Sequence, residues 1–177
     1  MTDEELAERY RNGDAAAFTD LYGRYKHAFY TFLRNRAPAD ADDFFQEAFM
    51  KFSDAILKRE IANPKAYLYM IGLNLVRNLG RRVPMASLGE ESDVPDDDEL
   101  VEAYDDEADQ TVVRAAMSKL AADRPAFYDV LHLHIFEELS FDDISGLLER
   151  NRNTVTAQYR YALQHLRRYM KENHDRE

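Results

Sequence analysis

The stretch "RNRNTVTAQYRYALQHLRR", residues 150–168, carries five arginines and no acid within a chain of formal net charge −11. Guanidinium groups bind phosphates, and a nucleic acid rewards their clustering because each contact releases condensed counterions. Asn151 suits the N-cap of a helix, and Arg152, Asn153, Thr154 and Thr156 then fall at its start. Those side chains can bond to base edges in a major groove. A solvated C-terminal face explains Arg167, Arg168 and Lys171, since cations suit the negative end of a helix. It does not explain Arg150, Arg152 and Arg160, which lie near the positive end.

A second acid-free stretch, from Ile61 to Gly89, holds Lys65, Arg77, Arg81 and Arg82 among Tyr67, Tyr69, Asn74 and Asn78. Rings, amides and bases interleaved in this way suit unstacked single-stranded bases. A core stripe accounts for Tyr67, Leu68, Ile71 and Leu75. Asn74, Arg77, Asn78, Arg81 and Arg82 remain as exposed candidates.

Little else in the chain offers chemistry. Cysteine is absent, which excludes disulfides, thiolate metal sites and thiol nucleophiles. His132 and His134 are two apart on a predicted helix and so face different ways, a poor metal pair. No glycine-rich phosphate loop or nucleophile motif is present. No catalytic residue, metal or cofactor is therefore assigned, and no enzyme activity is expected. The N-terminus "MTDEELAERYRNGD" is charged from its third residue, unlike a signal peptide. No run approaches the roughly 18 apolar residues of a membrane span. A soluble, cytoplasmic protein without membrane insertion is expected.

The excess charge has one source. Residues 1–82 sum to +1, residues 83–110 to −12 and residues 111–177 to 0. The middle segment, "VPMASLGEESDVPDDDELVEAYDDEADQ", repels itself and buries little, so it reads as an extended or disordered linker. The fold class expected is all-α: an N-terminal helical bundle over 1–83, an acidic flexible linker over 84–109 and a helix-turn-helix domain over 110–177.

Helical punctuation is dense on both sides of that linker. Gly13 and Asp14 end one helix and cap the next, and Pro38 stops the run that carries Phe18, Leu21, Tyr25, Phe29 and Phe32. "DADDFFQEAFMKFSDAILKR" puts Phe45, Phe49, Phe52 and Ile56 on one face and acids in the first turn. Asn63 and Pro64 open the next helix. In the second block "DQTVVRAAMSKL" and "DRPAFYDVLHLHIF" read as helices, and "SFDDISGLLE" as a short one capped by Ser140. The turn "ERN" then leads into a last helix running to about Met170. Its buried stripe is Val155, Tyr159, Ala162, Leu166 and Tyr169.

In this order and spacing the segments resemble the extracytoplasmic-function (ECF) group of the sigma-70 family, the initiation subunits of bacterial RNA polymerase. "DADDFFQEAFMKF" is similar to the family's polymerase-binding helix, and "NPKAYLYMIGLNLVRNLGRR" to the helix that melts and reads the −10 promoter element. "LSFDDISGLLERNRNTVTAQYRYALQHLRR" is similar to the helix-turn-helix that reads the −35 element. The resemblance implies a sigma factor with core RNA polymerase and promoter DNA as partners. An anti-sigma factor is a further family expectation.

By the same resemblance Asp40, Asp43, Gln46 and Glu47 would bind core polymerase. Asn74, Arg77, Asn78, Arg81 and Arg82 would contact −10 DNA. Arg150, Arg152, Asn153, Thr154, Thr156, Ala157 and Arg160 would contact −35 DNA, while Val155 packs. Several residues depart from the family pattern. Glu149 and Arg150 stand where a glycine and an aliphatic residue are usual, so Glu149 must bear a left-handed conformation or reshape the turn. Tyr67 stands in place of the common Trp and is expected in the core. Thr156 and Gln158 replace residues that are often basic, and Asn78 replaces an Asp. Two rivals share many of these features: a sigma mimic that sequesters an anti-sigma factor without touching DNA, and a stand-alone helix-turn-helix regulator. The acidic linker has two uses open to it, a nucleic-acid mimic inside a polymerase channel and a solubilising spacer.

Overall fold

A computed structural model describes residues 1–80 and 107–175, and its contacts divide the chain into two compact units, Met1–Ala86 and Ser87–Glu177. All regular structure among the described residues is helical. Arg81, Arg82 and the greater part of the acidic linker lie outside them.

The first unit has four helices: α1 (Asp3–Arg11), α2 (Ala15–Arg36), α3 (Ala41–Lys58) and α4 (Pro64–Gly80). Their starts follow local chemistry. Thr2 and Glu5 form a reciprocal capping box at α1. Asp14 accepts from the amide of Ala16 at α2, after Gly13 turns the chain at φ +105°. Asn63 Oδ1 accepts from the Ala66 amide at 3.1 Å, with Pro64 as the first residue of α4.

Aromatic residues fill this unit. Phe29, Phe32, Phe52 and Tyr69 are fully buried. Phe29 meets Phe49 at 5.7 Å and Tyr69 at 5.2 Å between centroids, both edge to face. Each such pair adds about 0.5–1.5 kcal/mol beyond its buried area. Gly72 lets α4 come close to α2, because a Cβ there would lie 2.8 Å from Phe29 Cε2. The N-terminal helix is tied down through Asp3, which pairs with Arg24 at 2.7 Å and accepts from the Tyr25 hydroxyl. Burial first, then the Asp3 hydrogen bond and charge, push the Tyr25 phenol well above its ordinary range.

The second unit also has four described helices: α5 (Glu107–Asp123), α6 (Pro125–Ile135), α7 (Phe141–Leu148) and α8 (Arg152–His174). Helix α5 starts inside the acidic segment and takes in the last three residues of the predicted linker. Acids are favoured in a first helical turn, so composition marks no boundary there. Helix α8 runs four residues past the predicted Met170, through "KENH". Its stripe is buried at Val155, Ala162 and Tyr169 and half-buried at Tyr159 and Leu166. The stripe packs on α5, α6 and α7. Tyr169 donates to Asp123 at 3.1 Å, and Lys119 pairs with Glu172 at 3.3 Å, fixing the far end of α8 to α5.

His132 and His134 have separate structural uses. His132 is buried 3.6 Å from Glu137 and lies between the rings of Tyr128 and Phe136. His134 stacks on Phe141 at 4.2 Å, and its Nδ1 lies 2.9 Å from the Leu139 carbonyl. A carbonyl only accepts, so Nδ1 carries the proton.

Candidate nucleic-acid interface

Three outward surfaces hold the residues singled out in the sequence. The first lies along α3. Burying Ala48, Phe49, Phe52 and Ile56 leaves Asp43, Gln46, Glu47, Met50, Asp54 and Leu57 on the opposite side at helical spacing. Met50 is 70% exposed and Leu57 49%, high values for such side chains. Asp40 is the N-cap but makes no side-chain capping bond. Glu47 pairs with Lys51 one turn on at 3.0 Å. Asp42, between Asp40 and Asp43 in sequence, is engaged by the Tyr30 hydroxyl at 2.7 Å. The face is therefore acidic at its start, amide-bearing in the middle and apolar beyond. Composition could not show that Met50 and Leu57 belong to it.

The second surface lies between α3 and α4. An open pocket of about 480 Å³ is lined by Lys51, Asp54, Lys58, Arg59, Tyr67 and Ile71. The Arg59 guanidinium sits 5.2 Å from the Tyr67 ring centroid and donates to its hydroxyl. Tyr67 is thus a half-buried pocket wall, correcting its expected place in the core. Tyr69, two residues on, takes the core position. From the pocket, Tyr67, Ile71, Asn74 and Asn78 follow one side of α4 at steps of four, three and four. Asn74 and Asn78 are exposed and Arg77 is half-buried. Lys51, Lys58 and Arg59 were not foreseen as partners of this helix. They come from the second half of α3 and its C-cap, and only the packing of α3 on α4 brings them to it.

The third surface is the turn between α7 and α8. Ser140 caps α7 by accepting from the Asp143 amide at 3.0 Å. Glu149 ends that helix in the left-handed region, at φ 55° and ψ 44°, the first of the two outcomes expected for a non-glycine residue there. The Arg150 amide and carbonyl both bond to Ser145, which closes the turn. Asn151 caps α8, accepting from the Asn153 amide at 2.8 Å.

Around this frame Asn153, Thr154 and Arg160 are exposed, Thr156 and Ala157 are half-buried and Val155 is buried. Arg152 lies 3.5 Å from Asp142 of α7. Arg150 turns back along α8 to donate to Gln158 at 2.9 Å, and the Thr156 hydroxyl donates to the Asn153 carbonyl at 3.0 Å. The seven residues expected here do gather at one helix end. Arg150 and Thr156 already bond within their own unit.

Comparison with known proteins places part of this arrangement. Residues 17–83, which span α2 to α4, match the sigma-70 region 2 family. The chain is 34% identical over 94 residues to the ECF RNA polymerase sigma-E factor of Escherichia coli K12, covering 50% of this chain and 49% of that one. It is 33% identical over the same length to its counterpart in Salmonella typhimurium LT2. The chain thus spans about half the length of the curated relatives it matches. The solved structure of CnrH in complex with the cytosolic domain of CnrY has the same fold, with a TM-score of 0.64 at 20% identity, covering 96% of this chain and 97% of that one. Residues 17–83 thus match sigma-70 region 2, and about half of the chain is similar to ECF sigma-E factors.

Proposed function

We propose that the chain is a sigma factor that binds core RNA polymerase and directs it to promoters by reading −10 and −35 elements. The domain roles follow the expected division: residues 1–83 for polymerase and the −10 element, 84–109 as linker, and 110–177 for the −35 element. The observation that carries this proposal is the outward surface of α3 and α4, both within the matched 17–83 segment. One helix presents an acidic and apolar face, and beside it a basic, aromatic-walled pocket opens onto a row of asparagines.

Each surface has a task in this scheme. Asp40, Asp43, Gln46 and Glu47 meet basic groups of the polymerase, with Met50 and Leu57 supplying apolar area beside them. An unstacked base of the melted strand enters the pocket against Tyr67, while Asn74 and Asn78 offer amides to its neighbours. Arg77, with Arg81 and Arg82 beyond the described residues, serves the phosphates. Arg152, Asn153, Thr154, Ala157 and Arg160 enter the −35 major groove, and Arg150 and Thr156 set the turn and the first helical turn that present them. Binding melted DNA more tightly than duplex drives opening, so no catalysis by this chain is required. Polymerase joins the two weak DNA sites and so supplies effective concentration.

The protein is placed in the cytoplasm with the polymerase, and no described helix is long and apolar enough to cross a membrane. A protein partner of the anti-sigma kind is part of the proposal, since the fold neighbour CnrH was captured with the cytosolic domain of another protein. The test is a pull-down with bacterial core RNA polymerase, then run-off transcription on a pool of genomic promoters. Stoichiometric binding with new start sites is expected. Binding without transcripts would turn the choice to a sigma mimic. No binding by a folded protein would overturn the proposal and leave a small DNA-binding regulator.

A further inference from the structure

The Arg152–Asp142 pair joins the two helices of the helix-turn-helix at the end where DNA is proposed to bind. Both side chains are well exposed, 62% for Arg152 and 75% for Asp142. A carboxylate at such a place costs affinity for a polyanion, although in the first turn of α7 it also favours the helix. The contact is to Nε of the guanidinium, at 3.5 Å. A guanidinium has five N–H donors, and an acceptor on its Nε edge leaves donors on both terminal nitrogens. Those terminal donors form the fork that matches O6 and N7 of a guanine. Two neighbouring polar groups are otherwise employed, Arg150 on Gln158 and the Thr156 hydroxyl on a carbonyl of its own helix. Arg152 is the cation at the first position of α8, one residue from the cap.

We propose that Asp142 is a positioning residue for Arg152, holding its Nε edge so that its terminal nitrogens point at a guanine in the −35 element. The proposal rests on the −35 reading of the second unit. Without the carboxylate Arg152 swings to the nearest phosphate, where it binds every sequence equally. With it, phosphate affinity is given up for base preference. The pair is too long and too exposed to stabilise the fold appreciably. Its effect is on direction.

The test uses the full chain assembled with core polymerase and a promoter library randomised across the upstream element. Asp142→Asn is expected to flatten one guanine preference by up to about fivefold, the upper end for an exposed ion pair. Affinity for promoters lacking that guanine should hold or rise, because a negative charge near DNA is gone. Arg152→Ala should remove the same preference by about tenfold or more. Asp142→Asn should then add nothing on the Arg152→Ala background, and Asp142→Glu should retain most of the preference. Helical content by circular dichroism checks that each variant is folded.

Three results would overturn the proposal, and they differ. If Asp142→Asn strengthens binding to all sequences equally with the preference intact, Asp142 is a mask and not a positioner. If Arg152→Ala leaves every preference unchanged, Arg152 reads no base, while the −35 reading survives on other positions. If the unmodified protein shows no upstream preference at all, the −35 reading itself falls, and this inference with it.

Discussion

The pocket beside α4 is an open hollow walled by side chains, whereas the start of α8 is a convex helix end, several of whose polar groups lie against their own unit. Tyr67, Arg59 and Lys58 stand around a pocket of about 480 Å³. At α8, by contrast, Arg150, Thr156 and Arg152 each have a neighbour within their own unit that a ligand must share or replace. The difference suits two kinds of nucleic acid. An unstacked base needs a hole with a flat wall, which packing supplies once and keeps. A groove needs side chains that can be steered, and short local bonds steer them.

The most severe way to break this comparison is to remove the floor of the pocket helix. Phe29 is fully buried and supports α4 through Tyr69 and the close approach at Gly72. Phe29→Ala is expected to cost about 3–5 kcal/mol of stability, the range for a large buried ring. Urea denaturation followed by circular dichroism would measure it. A cost below about 1 kcal/mol would mean that α4 is held by something other than this aromatic core.

Next in size is the pocket wall. Tyr67→Ala should weaken binding of single-stranded −10 DNA to the polymerase complex by about 1–3 kcal/mol, the worth of one stacked base. Tyr67→Phe keeps the ring and loses only the bond from Arg59, so it should retain most of that affinity. Fluorescence anisotropy with a labelled non-template oligonucleotide separates the two variants. Equal loss in both would assign the effect to the hydroxyl and its arginine, and stacking would no longer explain the pocket.

Arg160→Ala sharpens the contrast from the other side. Arg160 is exposed on α8, and at the −35 groove its charge also neutralises a phosphate beside the bases. Its removal should lower the slope of log affinity against log salt by about 0.9 for duplex −35 DNA, one phosphate's share. Tyr67→Ala should leave the slope for −10 DNA unchanged. An unaltered slope in Arg160→Ala would take that residue out of the interface.

How much of this was legible in the residues depended on how local the signal was. Caps are local, so Asp14, Asn63, Ser140 and Asn151 could be assigned from single residues, and each holds its expected amide. The strain at Glu149 was legible only through the resemblance, which sets a glycine at that turn position and left open whether the residue or the turn would give way. Tyr67 was misplaced because periodicity gives a stripe about 100° wide, and its edge residue can be core or rim. Lys51, Lys58 and Arg59 were missed for a different reason. They are ordinary bases along the second half of a helix and at its C-cap until α4 packs against it. Arg150 carried the right charge for DNA, yet its bond to Gln158 eight residues away shows only in three dimensions.

Glu149 carries the smallest prediction and bears on both halves of the comparison. At φ 55° its Cβ crowds the following carbonyl, a strain of about 1–2 kcal/mol for a residue with a side chain. Glycine relieves that strain but gives back about 0.5–1 kcal/mol through the freedom of its unfolded chain. Glu149→Gly should therefore stabilise the second unit by about 1 kcal/mol or less, raising its midpoint by a few degrees in a thermal melt. It also removes a negative charge from the turn leading into α8, so affinity for duplex DNA should rise at low salt and converge with that of the unmodified protein at high salt. The pocket beside α4, in the other unit, should show no change in its single-strand affinity. A variant that is less stable than the parent would mean that the Glu149 side chain contributes more to the turn than its backbone strain costs. Stability gained without any change in duplex affinity would place Glu149 away from the DNA, and with it the side of α8 that meets the groove.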